Sequence, residues 1–115
     1  MKIINLTPHS LNFYSNSNLV LTIPSSGIVR ATEQKENIGE IDLDGLTIPI
    51  FHIRYGKPEG LPEKIDEDAI YVVSAIAAQA IKQHCPELSH KFYVVAETVR
   101  DSKGQIIGCK ALANL

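Results

Sequence analysis

Three arginines are the residues best suited to hold an anion. Each closes an apolar, β-rich run: Ile28-Val29-Arg30, Ile50-Phe51-His52-Ile53-Arg54 and Val94-Val95-Ala96-Glu97-Thr98-Val99-Arg100. A guanidinium at a strand end offers a planar fork that binds phosphate or carboxylate bidentately and stacks on aromatic rings. Arg30, Arg54 and Arg100 converging on one place would hold a dianionic or diphosphate ligand. The competing reading pairs each with a nearby carboxylate, as Asp101 would pair with Arg100 across its own turn. The other basic residues are lysines, which fall mostly in turns and polar flanks.

Two further groups could add contacts. Strand alternation over residues 46–55 places His52 and Arg54 on one face with Leu46, Ile48 and Ile50, and Phe51, Ile53 and Tyr55 on the other. The first face starts apolar and ends polar, as in a strand leaving a core for a pocket, an interface or solvent. Phe51 or Tyr55 would stack on a base. Asn5-Leu6-Thr7-Pro8-His9 forms a polar kink after the first apolar run. There Thr7 and His9 either present a hydroxyl and an imidazole to a ligand or close a turn through local hydrogen bonds.

Signs of catalysis and metal binding are weaker. His84 and Cys85 are adjacent, but neighbours on a helix point about 100° apart and form no dyad by themselves. His84, Cys85 and His90 lack the paired spacing of a zinc site. Gly56-Lys57-Pro58-Glu59-Gly60 lacks the Gly-Lys-Ser/Thr ending of a phosphate loop. No cofactor is expected.

The elements that must position these residues read as one α+β domain over residues 1–115, a mostly antiparallel β-sheet with one main helix. Strands are expected at 3–6, 11–14, 19–23 and 28–32, then at 38–43 and 46–55 across Asp44-Gly45. Residues 33–37 fit a loop or a solvated strand end. Pro49 marks an edge position or a bulge. Residues 56–68 form an acidic surface loop. Val73, Ile76, Ala77, Ala80 and Ile81 follow helical spacing and predict an amphipathic helix over about 73–84, stopped by Pro86. Residues 70–73 also suit a strand leading into it, with Ser74 as N-cap. Ala75 and Ala78 keep another flank thin. A C-terminal hairpin should pair 92–100 with 105–113, Gly104 taking the left-handed position of the turn.

Composition sets the outer limits. The 115 residues are 44% hydrophobic and 21% charged, with a formal charge of −2. That excludes a disordered chain and argues against a nucleic-acid coat. Cys85 and Cys109 read as buried thiols of a cytoplasmic protein. Residues 1–5 lack the apolar stretch of a signal peptide, and no apolar run is long enough to cross a bilayer.

Asn5-Leu6-Thr7-Pro8-His9, Pro24-Ser25-Ser26-Gly27, Tyr55-Gly56 with Gly60-Leu61-Pro62, and Tyr71-Val72-Val73-Ser74, in that order, resemble a small uncharacterised family of phage, prophage and bacterial proteins. In scale and expected architecture the chain also resembles the Thoeris anti-defence group, oligomeric β-rich sponges that sequester cyclic nucleotide signals. The resemblance implies a phage-type anti-defence protein in the host cytoplasm. It would be a homo-oligomer, with a deep pocket between subunits, that sequesters a phosphate-bearing nucleotide-like molecule without turnover. Arg30, Arg54 and Arg100 would hold the phosphates, Tyr55 or Phe51 the base, and His9, Thr7 and His52 the polar edges. Two other expectations stand beside it. One is an inhibitor that docks on a host enzyme through a strand edge. The other is a small hydrolase or lyase using His9 or His52.

Overall fold

The computed structural model describes residues 1–115 and contains eight strands and one α-helix, in the order β1 (Lys2–Asn5), β2 (Leu11–Ser15), β3 (Asn18–Ile23), β4 (Glu33–Leu43), β5 (Leu46–Tyr55), β6 (Ala69–Val72), α1 (Ala75–His84), a 3₁₀ turn (Pro86–Lys91), β7 (Phe92–Arg100) and β8 (Ile106–Asn114). Strands account for 52% of the chain and helices for 14%, so the expected mostly-β domain with one main helix holds. Six strands form one sheet in the order β1-β6-β7-β8-β2-β3, and β4 and β5 form a separate two-stranded arm.

The large sheet is mixed, not mostly antiparallel as expected, with three parallel pairings and two antiparallel ones. β7–β8 and β2–β3 are antiparallel, the first across the expected hairpin with Gly104 at φ +82°. β1–β6, β6–β7 and β2–β8 are parallel. The β6–β7 pairing follows from the helix between them, because a helical crossover returns the chain in the same direction. Ser74 caps α1 as expected, its Oγ accepting from the Ala77 N–H at 3.4 Å, and the helix begins at Ala75 because residues 69–72 are strand. The expected strand at 28–32 is reduced to a single bridge between Arg30 and Glu59. Residues 33–37 instead begin β4.

One core cluster lies between α1 and the sheet, built from Leu6, Val29, Ala69, Tyr71, Val73, Ala77, Ala78, Ile81 and Phe92. Tyr71 and Phe92 stack with ring centroids 5.4 Å apart. The buried side of α1 is rotated from the expected stripe: Ala78 is buried and Ile76 is 42% exposed. Small alanines let the helix approach the sheet closely, leaving Ile76 at the margin.

Asn5 closes the sheet toward a barrel. It is fully buried at the end of β1. Its Nδ2 donates to the carbonyls of His9 (2.7 Å) and Ile23 (3.0 Å), and its Oδ1 accepts from the Thr7 N–H (2.9 Å). The Ile23 bond ties β1 to the end of β3, the two outer strands of the sheet. Main-chain bonds from Ser26 N to Asn5 O (2.8 Å) and from Val29 N to Leu6 O (3.0 Å) continue the seam. A buried amide that loses its partners' satisfaction is costly, so Asn5→Ala should destabilise the fold by about 2–4 kcal/mol. The near-isosteric Asn5→Asp should be no milder, since it places a carboxylate oxygen against two carbonyl oxygens. Urea denaturation of both variants measures this.

A second tie is electrostatic and exposed. Lys2 Nζ donates to Asp66 Oδ2 at 3.0 Å, and Asp66 Oδ1 accepts from the Asp68 N–H at 2.9 Å. The Asp68 N–H and then Lys2 hold the Asp66 carboxyl below its ordinary value, and Asp66 holds Lys2 above its own. A depressed carboxyl stabilises the fold above the ordinary carboxylate range, and the gain is lost as pH falls through the depressed value. Asp66→Asn should therefore lower the urea midpoint slightly at pH 7 and match the wild type once both are in strong acid.

Candidate ligand-binding groove

An open groove of about 790 Å³ lies in the body of the molecule. It lies where the parallel strands β1 and β6 end, between the segment after β1 (Thr7 to Ser10) and the start of α1 (Ser74, Ala75), and extends over β2, β7 and β8. Its floor is apolar and continuous with the core: Val73 belongs to the core cluster, Val94 packs against it, and Leu11 and Cys109 are buried beside them. Polar groups gather at the rim, among them Thr7, His9, Asn12, Tyr14 and Ser74.

The Asn5 bonds shape one wall. Thr7 Oγ1 lies 2.6 Å from Asn5 Oδ1 and 2.9 Å from the His9 carbonyl, so its single proton is committed to the turn. Of the two readings of Thr7, turn closure is the one the geometry contains, although the residue also lines the groove. His9 is held by its backbone, and its imidazole stands exposed at the rim. The opposite wall is the start of α1. Its first turn carries no acidic residue, and the Ser74 side chain satisfies Ala77. Such a helix end carries partial positive charge through its unpaired N–H groups, those of Ala75 and Ile76 here.

Gly108 on β8 permits the close passage of β2 across the groove. A Cβ there would stand 2.5 Å from both the Asn12 carbonyl oxygen and the Tyr14 ring. Only a residue without a side chain leaves room for the β2 backbone and the Tyr14 ring this close to the strand.

The three arginines do not gather here. Arg30 pairs with Glu59 through both main-chain groups (2.8 and 2.7 Å) and borders a separate shallow hollow with Gly27, Ile28, Glu59 and Gly60. Arg54 lies on the arm, with Nη2 3.3 Å from Glu36 Oε2. Arg100 fastens its own hairpin by donating from Nη1 to the Gly104 carbonyl at 2.7 Å, while Asp101 accepts from the N–H groups of Lys103 and Gln105. Phe51, His52 and Tyr55 also belong to the arm. β5 is exposed up to Tyr55, so it does not leave a core as its alternation suggested. Its foot rests on α1, where His84 Nε2 donates to the Tyr55 carbonyl at 2.7 Å. Of the candidate residues, the structure brings only Thr7 and His9 to the groove. Asn12, Tyr14, Ser74 and Cys109 join them unforeseen, since only the parallel pairings of β1 with β6 and of β2 with β8 put their segments side by side. No cluster of three His, Cys, Asp or Glu side chains suited to a metal is formed.

The Cys109 thiol is buried in the floor, and burial pushes its pKa up. Cys85 is half-buried at the end of α1. Cys109 should therefore react with a thiol reagent at pH 8 more slowly than Cys85, because its sulfur is shielded from the reagent and burial disfavours its thiolate. The gap should close in denaturant. Mass mapping of the labelled sites gives the two rates.

No protein-family model matches the chain, and neither do the curated proteins or the solved structures compared with it.

Proposed function

We propose that this chain is a binding protein that sequesters a small nucleotide-like ligand in the groove between the β1–β2 connection and the start of α1, without turning it over. The observation that carries this reading is one hollow of about 790 Å³ that joins an apolar floor to the first turn of α1 and the His9 side chain. That volume falls within the span of small-molecule sites, roughly 300–1,000 Å³. A base or ribose would lie on Val73, Val94 and Leu11 beside the Tyr14 ring. A phosphate would meet the free N–H groups of α1 and the His9 imidazole, the arrangement by which helix starts hold anions.

The set suits retention better than cleavage. The groove offers one exposed imidazole, a Thr7 hydroxyl whose proton is committed to the turn, and a buried thiol whose pKa burial raises. Arg30, Arg54 and Arg100 take no part within one chain, since none of them lines the groove. The docking alternative draws on the outer edge of β3, where Leu19, Val20 and Leu21 are exposed at the side of the sheet. It needs no ligand in the groove.

Ala75→Asp separates the readings. A carboxylate in the first turn of α1 favours the helix, so folding stability should hold or rise slightly. The same charge at the rim should weaken an anionic ligand at least tenfold, and His9→Ala should weaken it as well. The chain is incubated with a mixed pool of cyclic and linear nucleotides, washed and heated, and the released molecules are identified by mass spectrometry. An intact nucleotide retained by the wild type and lost by Ala75→Asp is the expected result. No retained nucleotide, or equal retention by the variant, overturns the proposal. Conversion of a nucleotide that His9→Ala abolishes favours the hydrolase or lyase.

A further inference from the structure

We propose that the β4–β5 arm is a self-association element whose apolar tip packs face to face on the same tip of a second copy, about a two-fold axis. This inference is independent of the ligand reading, because the arm does not line the groove.

The arm is oddly built for a monomer. Its strands span about 33 Å at an ordinary rise per residue, and apart from their shared ladder they touch the body mainly where β5 meets α1. A lone two-stranded ribbon is marginal in water and needs packing against something else. Yet Ile38, Ile41, Leu43, Leu46, Ile48, Ile50, Phe51 and Ile53 are all between 36% and 61% exposed. The projection also shows in the whole molecule. Its radius of gyration is 17.4 Å, where a compact chain of this length has about 13 Å.

The uncovered area fits a weak dimer. The chain exposes 7850 Å², whereas a compact monomer of its mass exposes about 6,200 Å². The five apolar side chains of one face, Ile41, Leu43, Leu46, Ile48 and Ile50, leave on the order of 450 Å² uncovered, the share one partner contributes to a weak, transient interface.

Register shows which face is used and what covers it. Opposed residues of an antiparallel pair share a face, so Leu43 with Leu46 and Ile41 with Ile48 form one uncharged surface, continued by Ile50 opposite Gly39. Nothing lies within 4 Å of the position a Gly39 side chain would take, which leaves a notch beside Ile50. The reverse face at the tip carries Glu40 and Asp42, with Asp44 in the turn. Two copies meeting through the acidic faces would repel, whereas two meeting through the apolar faces bury like on like and turn the carboxylates to water. Within residues 33–55 five carboxylates stand against Lys35 and Arg54, a balance that opposes an anionic lipid surface as the occupant. A two-fold contact needs only one self-complementary patch, and this is one.

Sedimentation of the full chain at roughly 100 µM, above the micromolar constants of weak interfaces of this size, should give twice the chain mass. Leu43→Lys with Leu46→Lys, at the far end of the arm from the body, should weaken the association at least 100-fold. Thr47→Lys on the reverse face should leave it unchanged. Hydrogen exchange of the wild type should show residues 41–50 more protected in concentrated than in dilute protein, a readout that needs no variant. A monomer at that concentration overturns the proposal, whatever else the arm then binds. So does a dimer that survives the double substitution, or protection confined to β3 or the groove.

Discussion

Every hydrogen-bonding position of the Asn5 amide is occupied, and the rest of the body is arranged around that fact. Two carbonyls require its nitrogen as donor, and the Thr7 N–H requires its oxygen as acceptor, so the network itself fixes the orientation of the group. One bond holds the β1–β2 connection in its kink. Another draws the end of β3 against β1 and turns an open, twisted sheet into a nearly closed one. The parallel pairing of β1 with β6 brings the segment after β1 opposite the start of α1, closure fixes that segment in place, and the groove is the space left between them. A polar group this deeply buried is tolerable only when fully satisfied. That requirement makes the kink rigid and sets His9 at the rim.

Apolar residues are divided between two uses. Few side chains are fully buried, and those that are depend on close approach of small residues, with Ala69, Ala77 and Ala80 at 0% exposure. Much of the remaining Ile and Leu lies on the arm, in a face with no counterpart in its own chain. Alternating hydrophobicity reports that one face of a strand is covered, and it is silent on what covers it. This is why β5 reads in sequence like a strand emerging from a core although its neighbours in the chain are all exposed.

The arginines illustrate the same limit. Each stands at the end of an apolar run, yet the three runs end in different parts of the molecule: a loop bridge to Glu59, the projecting arm, and the tip of the β7–β8 hairpin. Two of them meet local acceptors, Glu36 and the Gly104 carbonyl, as a long, flexible and always charged side chain does when an oxygen lies within reach. Thr7 and His9 fared differently because the kink that presents them is short and its bonds are local.

What the chain determined by itself was therefore what depends on near neighbours: the Ser74 cap, the stop at Pro86, the turns at Asp44-Gly45 and Gly104, the hairpins they join, and the polar kink after β1. Backbone conformation at these places follows from side chains within a few residues. Only the tertiary structure decided the parallel pairing of β1 with β6, the closure of the sheet by Asn5, the separation of the arginines and the isolation of the arm. These depend on contacts between segments tens of residues apart. Several pairings would satisfy the same local pattern, and the selection among them is made by buried hydrogen bonds and packing that arise only once the segments meet.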